Sequence, residues 1–359
     1  LVSIISSYIL SYLILGFLGS KLILWVMITG ILMWLTGVEA LIIWQLFLVI
    51  SILLNITLIR RYILSFPVLF VLKTLKILPK ISETEQIALD AGTVWVEGEL
   101  FSGKPNFKSI LDQPISKLTT EEQSFLDTKV EKLCSMVDDW DVYQKRDFSD
   151  EIWDFLKKEG FLGLIIPKEF GGLGFSALAN SAIITKLSSR SGPLGITAMV
   201  PNSLGPAELL IHYGTKEQQH HYLPKLAVGE EIPCFALTEP GAGSDAASMT
   251  SSGILFKNDK DELKIRLNWN KRWITLAAIS TVIGLAFKLR DPEGLLGGKE
   301  DLGITCALIP SDTPGVKLGR RHDPLGVPFY NSPTEGNDVI VSVDTIIGGI
   351  ENAGKGWRM

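Results

Sequence analysis

The chain has 359 residues, 47% apolar and 20% charged, which is enough for two or three domains with a sizeable core. Its 34 basic and 39 acidic residues leave a net charge of −5, a poor basis for general nucleic-acid binding, which needs clustered cations against phosphates. Three cysteines, Cys134, Cys234 and Cys306, are too few and too far apart for a disulfide framework or a zinc cluster.

The positive mean hydropathy, +0.28, comes from the front of the chain. Residues 1–80 hold six bases (Lys21, Arg60, Arg61, Lys73, Lys76, Lys80) and one acid, Glu39. The remainder holds 28 bases against 38 acids, a body of charge −10. Three stretches carry no charge: Leu1–Ser20, Leu22–Val38 and Ala40–Ile59. A bilayer core takes about 20 apolar residues as a helix, so these stretches predict two or three membrane-spanning helices. Lys21 and Glu39 then fall at interfaces, because mid-membrane charge is costly. Three successive apolar segments do not resemble a cleavable signal peptide. Arg60 and Arg61, followed by Lys73, Lys76 and Lys80, mark the cytoplasmic side, where thiols stay reduced. Between those cations Tyr62–Leu72, broken by Pro67, is expected to lie on the membrane surface.

Residues 82–90 are mostly polar, and Ala91–Phe101 reads as a connector packed on the body by Trp95 and Phe101. Helical patterns follow. One opens at Thr119 or Thr120, with acids in its first turn. Another opens at Ser149 and ends at Gly160. Pro167–Gly174 is a glycine-punctuated loop, and Leu178–Leu187, Leu204–Tyr213 and Lys216–Leu226 look helical. From Ile232 the pattern changes to strands: Cys234–Thr238, Leu263–Leu267, Trp273–Thr275, Ser280–Lys288, Ile304–Pro310 and Val339–Val343. The body is therefore a helical part followed by an all-β part.

Two segments concentrate candidate chemistry. In Phe235–Ser248 a strand ends at Thr238 and the backbone turns through Gly241 and Gly243. Such a loop aims several N–H groups at one anion, with hydroxyls from Thr238 and Ser244; it equally suits a tight turn with no ligand. In Trp269–Thr275, residues Trp273 and Thr275 flank Ile274 and so share one strand face. An indole beside a hydroxyl suits a flat, hydrogen-bonding ligand, or simply an aromatic anchor. His212, His220, His221 and His322 lack ligand spacing, and no metal site is expected. Walker A, GxSxG and HExxH motifs are absent from the sequence.

Together these segments resemble the acyl-CoA dehydrogenase family. Ala236–Ser248 matches its flavin-site signature, and Lys271–Thr275 its Lys-x-Trp-Ile-Thr strand. Pro167–Gly174 resembles its P-x-x-x-G-G-x-G loop, and Tyr213–Gln218 its Y-G-T-x-x-Q helix start. The resemblance covers roughly residues 82–359. The apolar head, Ala91–Trp95, Pro201–Pro206 and Asp301–Pro310 resemble its long, membrane-associated bacterial members of fatty-acid β-oxidation.

The resemblance implies an α+β fold. Membrane-spanning helices over 1–80 precede a helical domain over 81–231 and a β-domain over 232–347. Residues 348–359 would open a C-terminal helical bundle that is missing. It implies FAD as cofactor. Phe235, Leu237 and Thr238 would line the isoalloxazine, and Ser244 would approach the pyrophosphate. Trp273 would pack on the flavin, and Thr275 would hydrogen-bond near its reactive edge. It implies α,β-dehydrogenation of a fatty acyl-CoA to the trans-2-enoyl-CoA. An electron-accepting flavoprotein would be the partner, homo-oligomers would form, and the site would be the cell inner membrane with the body in the cytoplasm. The family's base is a glutamate of the later bundle, so no carboxylate here is assigned to catalysis, and Glu239 reads as structural. A chain that begins at Leu1 and stops at Met359 is expected to be an N-terminal fragment, inactive alone. Two rival functions are an acyl-CoA oxidase and a non-catalytic membrane scaffold that retains the fold.

Overall fold

The computed structural model describes residues 2–77, 86, 89–90, 92, 96–101, 103, 105–114, 116–203 and 205–359. Trp95, most of Ala91–Trp95, Lys80 and Leu204, invoked above, lie outside them. The chain divides into two compact units, Leu1–Ser82 and Glu83–Met359.

In the first unit the charge-free stretches become helices Val2–Phe17, Leu22–Leu35 and Leu41–Asn55. They are shorter than the stretches that encode them. Gly19 and Gly37 take positive φ (57° and 69°), and the chain folds back: Ser20 N–H donates to Leu15 O and Val38 N–H to Met33 O, both at 3.0 Å. Such glycine stops end a helix whatever the hydropathy beyond them. The expectation of membrane-spanning helices is corrected accordingly. Among the described residues no single helix is long and apolar enough to cross a membrane, although the pair Leu41–Asn55 and Thr57–Thr74, bent by 83°, passes together. The apolar run around Pro67 is not broken either. A π-helical turn, Arg60–Ser65, passes into helix Phe66–Thr74. Pro67 sits in the first turn of that helix, where a missing N–H costs little.

The second unit opens with short helices. Phe101 is 91% exposed and packs nothing, against the expected anchoring. Thr119 caps helix Thr120–Phe125 in a reciprocal box with Glu122. Glu122 also accepts from Ser176 N–H at 2.8 Å, which ties two helices together. Burial pushes this carboxyl up, but the Ser176 and Thr119 N–H groups prevail and hold it down at about 2. Helices Asp150–Lys158, Ala177–Arg190 and Gly192–Met199 bury Ile152, Leu156, Ile183, Leu187 and Leu194 in one core. Pro206–Tyr213 and Lys216–Ala227 complete the helical part, the latter capped by Thr215 with Gln218.

Seven strands follow: β1 Pro233–Ala236, β2 Ser252–Lys257, β3 Leu263–Thr275, β4 Val282–Arg290, β5 Asp301–Pro310, β6 Val316–Leu318 and β7 Asn331–Ser342. β4 pairs antiparallel with β5 along its length. Its other edge is shared, β1 running parallel beside Val282–Leu285 and β2 beside Lys288–Arg290. β3 then joins β2, and β7 joins β3, both antiparallel. The buried run Val282–Phe287 reads as a central strand covered on both faces, as its continuous apolar sequence requires.

Candidate functional site

The shared edge of β4 creates the site. β1 must leave the sheet before β2 can enter it, and the connection between them is Leu237–Ser251. Its first residues are clamped to the neighbouring strand. Arg272 N–H donates to Thr238 O at 2.9 Å, and Lys271 Nζ to Leu237 O at 2.9 Å.

The clamp is anchored by an ion pair inside the protein. Lys271 is fully buried and Glu239 is 4% exposed, with Nζ and Oε1 2.9 Å apart. Glu239 also accepts from Thr250 N–H (2.6 Å), Thr250 Oγ1 (2.8 Å), Ser251 N–H (2.9 Å) and Ser251 Oγ. One carboxylate thereby joins the start of the loop, its end and β3. Burial pushes Glu239 up, but the Ser251 hydroxyl, the Thr250 and Ser251 N–H groups and Lys271 hold it down at about 2. The structural reading of Glu239 stands on these contacts. A depressed carboxyl stabilises the fold above its unfolded pKa and loses that contribution as pH falls through its folded value. Glu239 and Glu122 both fall from 4.5 to about 2, so the urea midpoint should be flat above about pH 5 and drop steadily from 4.5 toward 2. A midpoint unchanged by pH 3 in equilibrium unfolding would contradict this.

The loop tip is open. Glu239 and Ala242 form an isolated bridge, their N–H groups exchanging at 3.0 and 3.3 Å. Among the described residues the N–H groups of Gly241, Gly243 and Ser244 donate to no protein acceptor. Neither glycine needs positive φ, and a Cβ on either would meet nothing within 4 Å. Their contribution is free space before unpaired donors, which fits an approaching anion.

β3 is irregular opposite this loop. Between Lys271 and Ile274 it carries one residue more than β7, and Trp273 adopts φ +61°. The alternation used to place Trp273 and Thr275 on one face therefore does not run through this point; a bulge re-aims the side chain. Trp273 projects outward, 57% exposed, with the His322 ring edge-on at 4.9 Å. Thr275, half-buried, accepts from Asn331 Nδ2 at 3.4 Å. All six sequence-derived residues are accessible, Ser244 and Trp273 exposed and the rest half-buried; Phe235, Trp273 and Thr275 lie on strands, and Leu237, Thr238 and Ser244 in the loop.

They do not share one recess. Phe235 and Leu237 wall an apolar cavity of about 290 Å³, with Leu209, Ala286, Ile304 and Trp357. Trp273 lines a separate pocket of about 440 Å³ with Arg146, Arg272, Arg320, Arg321 and His322. Asp323 neutralises part of it, at 2.6 Å from Arg146 and 3.4 Å from Arg321. Thr238, Ser244 and Thr275 line neither. Sequence reasoning missed this arginine group, whose members lie far apart in the chain. It also missed the Lys271 ion pair, although a signal existed: in Leu267-x-Trp269-x-Lys271 a cation shares the inward face of two apolar residues, and such a charge needs a buried partner. Among the described residues no group of three His, Cys, Asp or Glu side chains is arranged to hold a metal.

Comparison with known proteins agrees with this architecture. The family model described as acyl-CoA dehydrogenase, N-terminal domain, matches residues 113–230, and that for the middle domain matches 234–339. Isobutyryl-CoA dehydrogenase, mitochondrial, of Dictyostelium discoideum is 32% identical over 251 residues, 67% of this chain and 56% of that protein. A 74-residue stretch is 62% identical to Protein HemX of Proteus mirabilis, covering 21% of this chain and 44% of that one. Among solved structures, an acyl-CoA dehydrogenase from Bacillus anthracis complexed with FAD superposes with a TM-score of 0.57 at 24% identity, over 68% of this chain and 41% of that one, a likeness of fold. The chain spans about half the length of the curated relatives it matches.

Proposed function

Because the chain belongs to the acyl-CoA dehydrogenase family, we propose that it serves the FAD-dependent α,β-dehydrogenation of a fatty acyl-CoA to the trans-2-enoyl-CoA in β-oxidation. Support comes above all from the open loop tip, with three unpaired N–H groups and the Ser244 hydroxyl, in a loop whose start is tied at Thr238 to Arg272, the residue before the outward-facing Trp273. That combination fits a ligand with a phosphate bridge and a flat ring. Ser244 with the N–H groups of Gly241 and Gly243 would hold the pyrophosphate of FAD. Thr238 and Thr275 would hydrogen-bond the ring, and Trp273 would pack on it. FAD, when bound, supplies the acceptor for the hydride that leaves the β-carbon.

The remaining roles fall to the chain's own surfaces. Phe235 and Leu237 would turn apolar carbon toward the acyl chain and keep water out. Fixed N–H and O–H dipoles, held by the Glu239–Lys271 clamp, need no reorganisation when charge develops at the site. No described carboxylate is assigned to the α-proton. The proposal extends to an electron-accepting flavoprotein as partner, to homo-oligomers, and to the cell inner membrane with the body in the cytoplasm.

The assay is turnover by the protein in its native membranes against straight-chain acyl-CoA thioesters of increasing length. Rates should peak at medium or long chains, without hydrogen peroxide. A peak at short or branched chains would contradict the substrate class, and peroxide in step with turnover would replace the dehydrogenase by an oxidase.

A further inference from the structure

The pocket beside Trp273 draws its charge from three separated parts of the chain. Arg146 closes helix Asp139–Lys145 in the left-handed region, at φ +58°. Arg272 sits in the bulge of β3, one residue before Trp273 at φ +61°. Arg320, Arg321 and His322 follow β6. Their segment is held along β7 by Gly319 N–H to Pro333 O (2.8 Å) and His322 N–H to Asn331 O (2.9 Å). Non-glycine residues seldom take positive φ unless their surroundings impose it, and such positions gather at ligand clamps. Both of these irregular turns border the same recess.

The charge there is not cancelled within the protein. Among the described residues Asp323 is the acid that pairs with these arginines, at 2.6 Å from Arg146 and 3.4 Å from Arg321. Nearby Asp147 is taken by the Tyr330 hydroxyl and by Trp153 Nε1 (3.1 Å). Arg321 is fixed by Pro328 O (3.1 Å) and lies over the Tyr330 ring at 4.2 Å. Arg272 and Arg320 are exposed, and among the described residues their guanidinium groups meet no acceptor. Four cations against one anion leave an excess of three positive charges, on a body whose overall charge is −10. His322 Nε2 is buried in the same wall and has no hydrogen-bond partner.

Guanidinium groups around one recess repel each other, and an entering anion relieves that repulsion. Arginine forks pair bidentately with phosphate oxygens, which an ammonium cannot do. The recess, about 440 Å³, falls in the range of small-molecule sites and exceeds what one simple ion fills.

We infer that this pocket binds the phosphate groups of a small phosphorylated metabolite, a pyrophosphate or phosphate ester, at a site separate from the flavin loop. Arg272 and Arg320 supply uncommitted forks, Arg321 a fixed cation, and His322 Nε2 a further hydrogen bond. Of the six residues assigned to the flavin, only Trp273 lines this pocket, so the two sites share one wall.

Calorimetric titration of the full chain with inorganic pyrophosphate tests the site, at physiological ionic strength, where exposed charges beyond about 8 Å are screened. One pyrophosphate per chain should bind in the presence of saturating FAD, about tenfold more tightly than sulfate. Arg320→Ala should weaken it about tenfold, and Arg320→Lys should restore only part of the loss. His322→Ala should weaken it by a smaller factor. Arg320 has no protein partner, so its variants should keep the parent's urea midpoint. Lys260→Ala, which removes one exposed cation from the turn between β2 and β3, should leave binding unchanged. No binding by the parent, sulfate held as tightly, or equal losses for Lys260→Ala and Arg320→Ala would reduce the pocket to surface charge and overturn the site. One-for-one displacement of pyrophosphate by FAD or by coenzyme A would assign the pocket to the proposed reaction's own ligands and overturn its separateness. Pyrophosphate binding that responds to Arg320→Ala in a chain that binds no FAD would uphold this site while removing the flavin reading.

Discussion

Replacing Glu239 by alanine should destabilise the body by about 3–5 kcal/mol, the cost typical of leaving one buried charge without its partner. Lys271 would keep only Leu237 O as acceptor, and the N–H groups of Thr250 and Ser251 would lose theirs. Lys271→Met should cost less, because Glu239 retains four donors from Thr250 and Ser251. The double variant Glu239→Ala with Lys271→Met should recover part of the single loss, since the unpaired cation is gone. Urea midpoints of the three variants give the order directly. A Glu239→Ala protein as stable as the parent would mean that the clamp does not hold the loop to β3.

Gly172→Ala should cost more than Gly171→Ala, although only Gly171 occupies the left-handed region, at φ +84°. A Cβ on Gly171 meets nothing within 4 Å, so that change carries only the backbone penalty of roughly 1–2 kcal/mol. A Cβ on Gly172 would stand 2.1 Å from Ile166 O and 2.7 Å from its carbonyl carbon, atoms that move only if the loop opens. Opening would break the 2.8 Å bond from Gly174 N–H to Ile166 O and disturb Ile166 and Phe170 in the core. The expected loss is about 3 kcal/mol, the upper range of overpacking. The opposite order in thermal or urea unfolding would show that the second glycine of this motif is not there for close approach.

These two sites show how far the sequence could be read. The glycine loop Pro167–Gly174 was visible as a motif because its residues are contiguous, and the helix starts at Thr119 and Ser149 were legible for the same reason, although the Ser149 side chain makes no capping hydrogen bond. β2 was not, since Ser252–Lys257 carries an internal glycine and a run of three apolar residues that gives no clean alternation. The partnership of Glu239 with Lys271 spans 32 positions and depends on where the loop lands on β3, which no local pattern encodes. The bulge at Arg272 and Trp273 is likewise set by pairing with β7. In the first unit hydropathy located all three helices, but turn chemistry at Gly19 and Gly37 set their lengths. The six candidate residues were chosen through a signature. Their division between an apolar cavity, a cationic pocket and an open loop emerged only from the fold.

An equilibrium titration of the protein with FAD, run in parallel on the parent, Trp273→Ala and Thr238→Val, bears hardest on the proposed site. Saturable binding at one FAD per chain is the expected result, weakened about tenfold by Trp273→Ala, as the loss of one aromatic packing partner predicts. Thr238→Val should weaken it by a comparable factor through the lost hydroxyl. Binding absent from the parent, or equally tight in all three proteins, would contradict a flavin site built from this loop and this strand.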